Sequence, residues 1–140
     1  MLINMFVCLN CILEDIIAKG FVPIITPMGV DFKGQAYNIN ADVAAGALAR
    51  SLRSRRLILL TDVDGVLDEN NKLISEINTA QTKKLIDDGT IHGGMIPKMK
   101  TCINAINNGV RAVVIIDGRK PHSILFELFS DQGAGTLIRK

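Results

Sequence analysis

Apolar positions along this chain recur with two periods, and the places where the period changes outline its elements. After Asn40, the residues Val43, Ala44, Ala47 and Leu48 return at helical spacing, so a helix capped by Asn40 is predicted to about Ser51. A second helix is predicted from Asn78, with Gln81 completing a capping box and Gly89 as its stop. Gly93-Gly94 precede Pro97, which suits the first turn of a third helix, ended by Gly109. Pro121 opens another through Phe129, and an earlier helix end, Ile12 to Lys19, closes at Gly20.

Between these lie shorter apolar runs. "FVPIIT" reads as a short buried strand, and "VDFKGQAYNI", with Gly34 near its middle, as a hairpin or an irregular β excursion. "LILLT" is a continuous apolar run of the kind a parallel strand covered on both faces shows; "VRAVVII" and the closing "GTLIRK" are further strands. Strands and helices therefore alternate, which predicts an α/β fold: a three-layer αβα sandwich around a mainly parallel sheet.

Composition narrows the class. The chain has 140 residues, is 48% hydrophobic and carries a formal net charge of +2 with both signs dispersed, so one core is expected and neither nucleic acid nor membrane is the expected partner. "MLINMFVCLNCIL" is too short to span a bilayer and lacks the leading positive charges of a secretory signal, which gives a cytoplasmic expectation. Cys8, Cys11 and Cys102 cannot all pair with one another. The Cys8/Cys11 CxxC has no second pair to complete a zinc site, so these cysteines are read as buried apolar residues and no metal ligands are assigned. Arg50, Arg53, Arg55 and Arg56 gather where cations complement a helix C-terminus.

Ligands of open parallel sheets bind beyond the carboxyl ends of the strands, which directs attention to Asp62–Leu67 and Asp117–Lys120. "TDVDG" fails as a calcium loop, because Val66 stands where an oxygen ligand is needed and Leu67 where the turn needs glycine. It also matches the first motif of haloacid-dehalogenase-like phosphatases, with Asp62 as nucleophile and Asp64 as acid/base. Against that, Asp117-Gly118 is followed by no second acid, and about sixty residues precede the motif.

Taken together, "YNINAD", "LILLTDVDGVLDE", "GGMIPKM" and "GVRAVVIIDGR" occur in an order and spacing that resemble the C-terminal, nucleotide-binding half of the acetylglutamate kinases, a branch of the amino acid kinase family. The resemblance covers residues 16–140 and leaves 1–15 as an atypical apolar segment. It implies ATP-dependent phosphorylation, with Mg2+, of the side-chain carboxylate of N-acetyl-L-glutamate, a step of arginine biosynthesis. In this resemblance Lys98 stabilises the transition state, Asp42 holds the catalytic lysines and Asn38 contacts the amino-acid substrate. Asp62, Val63, Asp64, Gly65, Val66 and Leu67, with Thr90, Ile91 and His92, match the stretches lining the nucleotide.

"HSILFELFSDQGAGTLI" resembles the ending of arginine-inhibited members, which makes Glu127 and Gly133 candidate contacts to arginine. Read by residue type alone, Glu127 is a solvated helix residue, and His92 and His122 are surface or cap histidines. The family's glycine-rich phosphate turns, second catalytic lysine and substrate-gripping arginine have no counterpart before Ile16. The expectation is thus a kinase part completed by an N-terminal half, with the apolar opening segment pointing to self-association, and the rival is a non-catalytic nucleotide- or arginine-binding module.

Overall fold

The architecture follows from a short set of buried aliphatic positions. A computed structural model describes residues 3–140, with side chains described from residue 10 onward. Its helices are α1 (Ile3–Ala18), α2 (Ala41–Ser51), α3 (Thr79–Asp87), α4 (Met95–Asn107) and α5 (Ser123–Phe129). Its strands are β1 (Met28–Val30), β2 (Ala36–Asn38), β3 (Arg56–Thr61), β4 (Glu76–Asn78), β5 (Ala112–Asp117) and β6 (Gly135–Arg139).

The main sheet has the order β3-β5-β6-β4. β3 runs parallel to β5 from the pair Arg56 and Ala112 to the pair Thr61 and Asp117, and β4 runs parallel to β6. The β5–β6 pair is antiparallel, so the sheet is mixed and mostly parallel. Val113, Val114, Ile115 and Ile116 of β5 are all fully buried, as a central strand covered on both faces requires. Val113 and Ile115 join a cluster with Leu57, Leu59, Met99, Cys102, Ile106 and Ile138, which glues α4 to the sheet. Each fully buried aliphatic side chain contributes about 1.5–3 kcal/mol relative to exposure. α5 packs against β5 and supplies nothing to that cluster. Gly46 lets α2 approach α4, since a Cβ there would lie 2.9 Å from Thr101 Cγ2.

Local chemistry sets the element ends as expected at most positions. Asn40 Oδ1 accepts from the Val43 N–H at 3.1 Å and starts α2. Asn78 and Gln81 form the reciprocal capping box of α3. The hairpin expected around Gly34 is β1–β2, and Gly34 has φ +84° at its turn.

Four expectations need correction. "FVPIIT" is not a strand: no described strand pairs with it, Pro23 has no N–H to donate, and Val22 and Ile24 stand 87% and 94% exposed. "LILLT" is not covered on both faces, because β3 is the sheet edge and Leu60 is exposed while Leu57 and Leu59 are buried. Cys11 is not buried; it lies on the solvent side of α1, whose Leu13 turns inward. The Cys8 side chain lies outside the described residues. Glu127 is not solvated but buried beneath α5, and Arg56 leaves the basic cluster after α2 to meet it at 3.2 Å.

β4 was not anticipated, since three residues are too few to display a period. α1 also starts well before Ile12 and runs unbroken past residue 16.

Candidate functional site

Three chain segments converge at the carboxyl end of β3. The first is the loop from Thr61 to Leu67, whose backbone turns at Gly65 with φ +147°. The second is the start of α2, where Asn40 caps and Asp42 stands in the first turn. The third joins α3 to α4 and is shaped by Asp88, which accepts the Thr90 N–H at 3.1 Å; that bond holds the Asp88 carboxyl below its ordinary pKa. His92 Nδ1 lies 3.2 Å from the Thr90 carbonyl, and Gly93 turns the chain with φ +58°. Between the three segments lies a cavity of about 690 Å3, within the usual size of small-molecule sites.

α4 begins at the wall of this cavity. No side chain caps it, and the Met95 and Ile96 N–H groups make only long turn bonds of 3.3 Å to His92 and Gly93. The positive end of the α4 dipole is therefore turned toward the cavity, an arrangement that favours an anion. Lys98 adds a formal charge one turn later. Its Nζ donates to Asp42 Oδ2 at 2.6 Å, with both side chains largely shielded. Among the described lining residues Lys98 is the one lysine or arginine.

A second charged group lies at the ends of β3 and β5. The Arg119 guanidinium donates from Nε and Nη2 to the two oxygens of Asp117 at 2.9 Å each, and the Arg119 N–H adds a third bond. Those side-chain bonds, then the backbone bond, hold the Asp117 carboxyl down at about 2. The same carboxylate raises the pKa of Arg119, aided by Asp62 and Asp64. Lys120 pairs with Asp64.

The residues singled out from sequence divide accordingly. Asp42, Lys98, Asp62, Val63, Gly65, Val66, Leu67, Thr90, Ile91 and His92 all line the cavity. Asn38 ends β2 on the exposed hairpin, and Asp64 points to Lys120; neither lines it. Glu127 and Gly133 meet elsewhere, beneath α5: Glu127 Oε2 accepts the Ala134 N–H at 2.9 Å, and a Cβ on Gly133 would lie 3.2 Å from that oxygen.

Val43, Thr61, Met95 and Thr101 also line the cavity without having been assigned a site role from sequence, as do Asn40, Gly93, Gly94 and Pro97, whose assigned role was at helix starts. Thr101 follows Lys98 by three positions on a helix, so helical spacing could have found it. The glycines could have been found as exposed N–H donors at an uncapped helix start.

The model of the amino acid kinase family matches residues 11–117. The chain is 55% identical over 131 residues to the acetylglutamate kinase of Methylobacterium nodulans, covering 94% of this chain and 43% of that protein. It is 59% identical over 129 residues to the acetylglutamate kinase of Lawsonia intracellularis, again covering 43% of that protein. The chain thus spans less than half the length of these curated relatives. Among solved structures, it superposes with a TM-score of 0.88 at 26% identity on N-acetylglutamate synthase from Neisseria gonorrhoeae complexed with coenzyme A and L-arginine, covering 94% of this chain and 30% of that one.

Proposed function

Because this chain belongs to the amino acid kinase family, we propose that it forms the nucleotide-binding part and one wall of the acceptor site of an acetylglutamate kinase. The reaction is transfer of the ATP γ-phosphoryl group to the side-chain carboxylate of N-acetyl-L-glutamate. The observation that carries this reading is the Lys98–Asp42 pair beside the uncapped start of α4 and the loop after β3.

The acceptor carboxylate is ionised at neutral pH, so no general base is needed. The barrier is the approach of two anions, and the residues present answer it. The α4 N-terminus and Lys98 offer positive potential to the phosphoryl group, and Asp42 fixes the Lys98 ammonium without a reorganisation step. Residues of the segments Asp62–Leu67 and Thr90–His92 line the cavity, and they would contact a nucleotide partly through backbone. No cluster of three or more acidic, histidine or cysteine side chains that could hold a metal exists among the described residues. Mg2+ would accordingly arrive as the counter-ion of the ATP phosphates, neutralising charge there. Asn38, on the hairpin beside Asn40, would contact the acceptor.

The test is ADP release with N-acetylglutamate, measured on this chain alone and with a relative's N-terminal half supplied separately, together with calorimetric titration of ATP. ATP binding by the chain and ADP release in the mixture are expected. Neither binding nor release would remove the kinase reading. Binding without release would favour the non-catalytic module, and phosphate-ester hydrolysis lost in Asp62→Asn would favour the phosphatase.

Arginine inhibition is a second reading. Its support is that the Glu127 carboxylate already accepts a guanidinium, that of Arg56, beside Gly133. Arginine should depress ADP release in the mixture, and Glu127→Gln should abolish that response; an arginine-insensitive wild type would remove it.

A further inference from the structure

A single hydroxyl behind the cavity ties its nucleotide loop to the far side of the sheet. Gly135 and Thr136 open β6, antiparallel to β5. A Cβ at Gly135 would overlap the Ile115 carbonyl, so glycine is required there and β6 sits hard against β5. That contact fixes Thr136, which has no exposed surface.

A buried hydroxyl is costly unless both its donor and its acceptor are used. Here both are. Thr136 Oγ1 accepts the Val66 N–H at 2.8 Å and donates to the Ile74 carbonyl at 2.7 Å. Val66 and Ile74 are the two arms of the excursion that leaves the cavity wall, and they also bond directly, Ile74 N–H to Val66 carbonyl at 2.9 Å. The hydroxyl therefore pins both arms at once to a rigid strand. Gly65 completes the fit from the other side, because a Cβ there would lie 2.6 Å from Thr136 Oγ1. These contacts set the height of the Gly65, Val66 and Leu67 backbone along the cavity wall.

We propose that Thr136 is a positioning residue for nucleotide binding: through Val66 and Ile74 it sets the loop from Asp62 to Leu67 at the distance an ATP molecule requires. This role rests on the nucleotide reading of the cavity. Thr136 itself does not line the cavity.

Two substitutions separate positioning from simple packing. Thr136→Val keeps the shape and removes the hydroxyl, leaving the Val66 N–H and the Ile74 carbonyl unpaired. Thr136→Ser keeps the hydroxyl and removes the methyl. ATP affinity is measured by calorimetry on the whole chain, thermal midpoint alongside it, and amide hydrogen exchange at Val66 against Val114.

The expected result is about tenfold weaker ATP binding in Thr136→Val, in which the loop loses both of its hydrogen bonds to the hydroxyl. Val66 should lose protection while Val114 keeps it. Thr136→Ser should melt earlier yet bind ATP as the wild type does. Wild-type ATP affinity in Thr136→Val, or uniform loss of protection across the sheet, overturns the role. Should the valine variant fail to fold, ATP affinity in Thr136→Ser that falls in step with its thermal midpoint overturns it as well. A wild type that binds no ATP at all defeats the nucleotide reading first and this role with it, and so identifies which of the two has failed.

Discussion

Replacing Lys98 by methionine keeps the side-chain length and removes the charge beside Asp42. The ammonium is held at 2.6 Å and is largely shielded, so its orientation is fixed before any ligand arrives. If it neutralises the phosphoryl group, Lys98→Met should lower kcat for ADP release by a hundredfold or more, a loss of about 3 kcal/mol of transition-state stabilisation. ATP affinity should change much less. Asp42→Asn should follow the same direction, since it frees the ammonium without removing it. A Lys98→Met protein with unaltered kcat would show that the pair only braces α2 against α4. The residue types of this pair were legible through the motifs "YNINAD" and "GGMIPKM", but their contact was not. Partners 56 positions apart leave no periodic trace. Thr136 and Val66, 70 apart, are hidden for the same reason.

At the scale of elements, legibility followed local chemistry. The starts of α2 and α3 were readable because Asn40 and Asn78 bond to N–H groups only three positions away. "FVPIIT" misled because apolarity says that a strand could be buried, while pairing depends on a neighbour that local sequence does not specify. The carboxyl end of β5 joins the two scales, since Asp117 is fixed by Arg119 two positions on. Its carboxyl lies at about 2 in the folded protein, against 3.8 ordinarily. A group whose folded value is depressed binds more protons when unfolded across that interval. Its contribution is therefore complete above roughly pH 4 and is lost as pH falls through 2. Asp117→Asn should flatten the acid limb of a plot of urea midpoint against pH, between those limits. Arg119→Met should shift the loss to higher pH. An acid limb identical in all three proteins would mean that other carboxylates govern it.

For the whole molecule, the α/β class is legible because alternation of strands and helices is a global pattern that a single misplaced element does not erase. What sequence could not report was which apolar surface finds cover. β5 is covered on both faces, yet Val22, Ile24, Phe32 and Phe129 are each more than four-fifths exposed, and Leu60 lies open on edge strand β3. Water ordered around so many large apolar side chains favours their removal into an interface. The isolated chain should accordingly associate as its concentration rises. Sedimentation equilibrium should give a weight-average mass above the monomer's 15.2 kDa at the higher concentrations. Substituting Val22→Ser and Ile24→Ser together should return the mass toward the monomer value. Neither side chain belongs to the buried cluster, so the thermal midpoint should be unchanged. A chain that stays monomeric at high concentration would overturn this expectation, because the exposed apolar side chains would then remain in water without a partner.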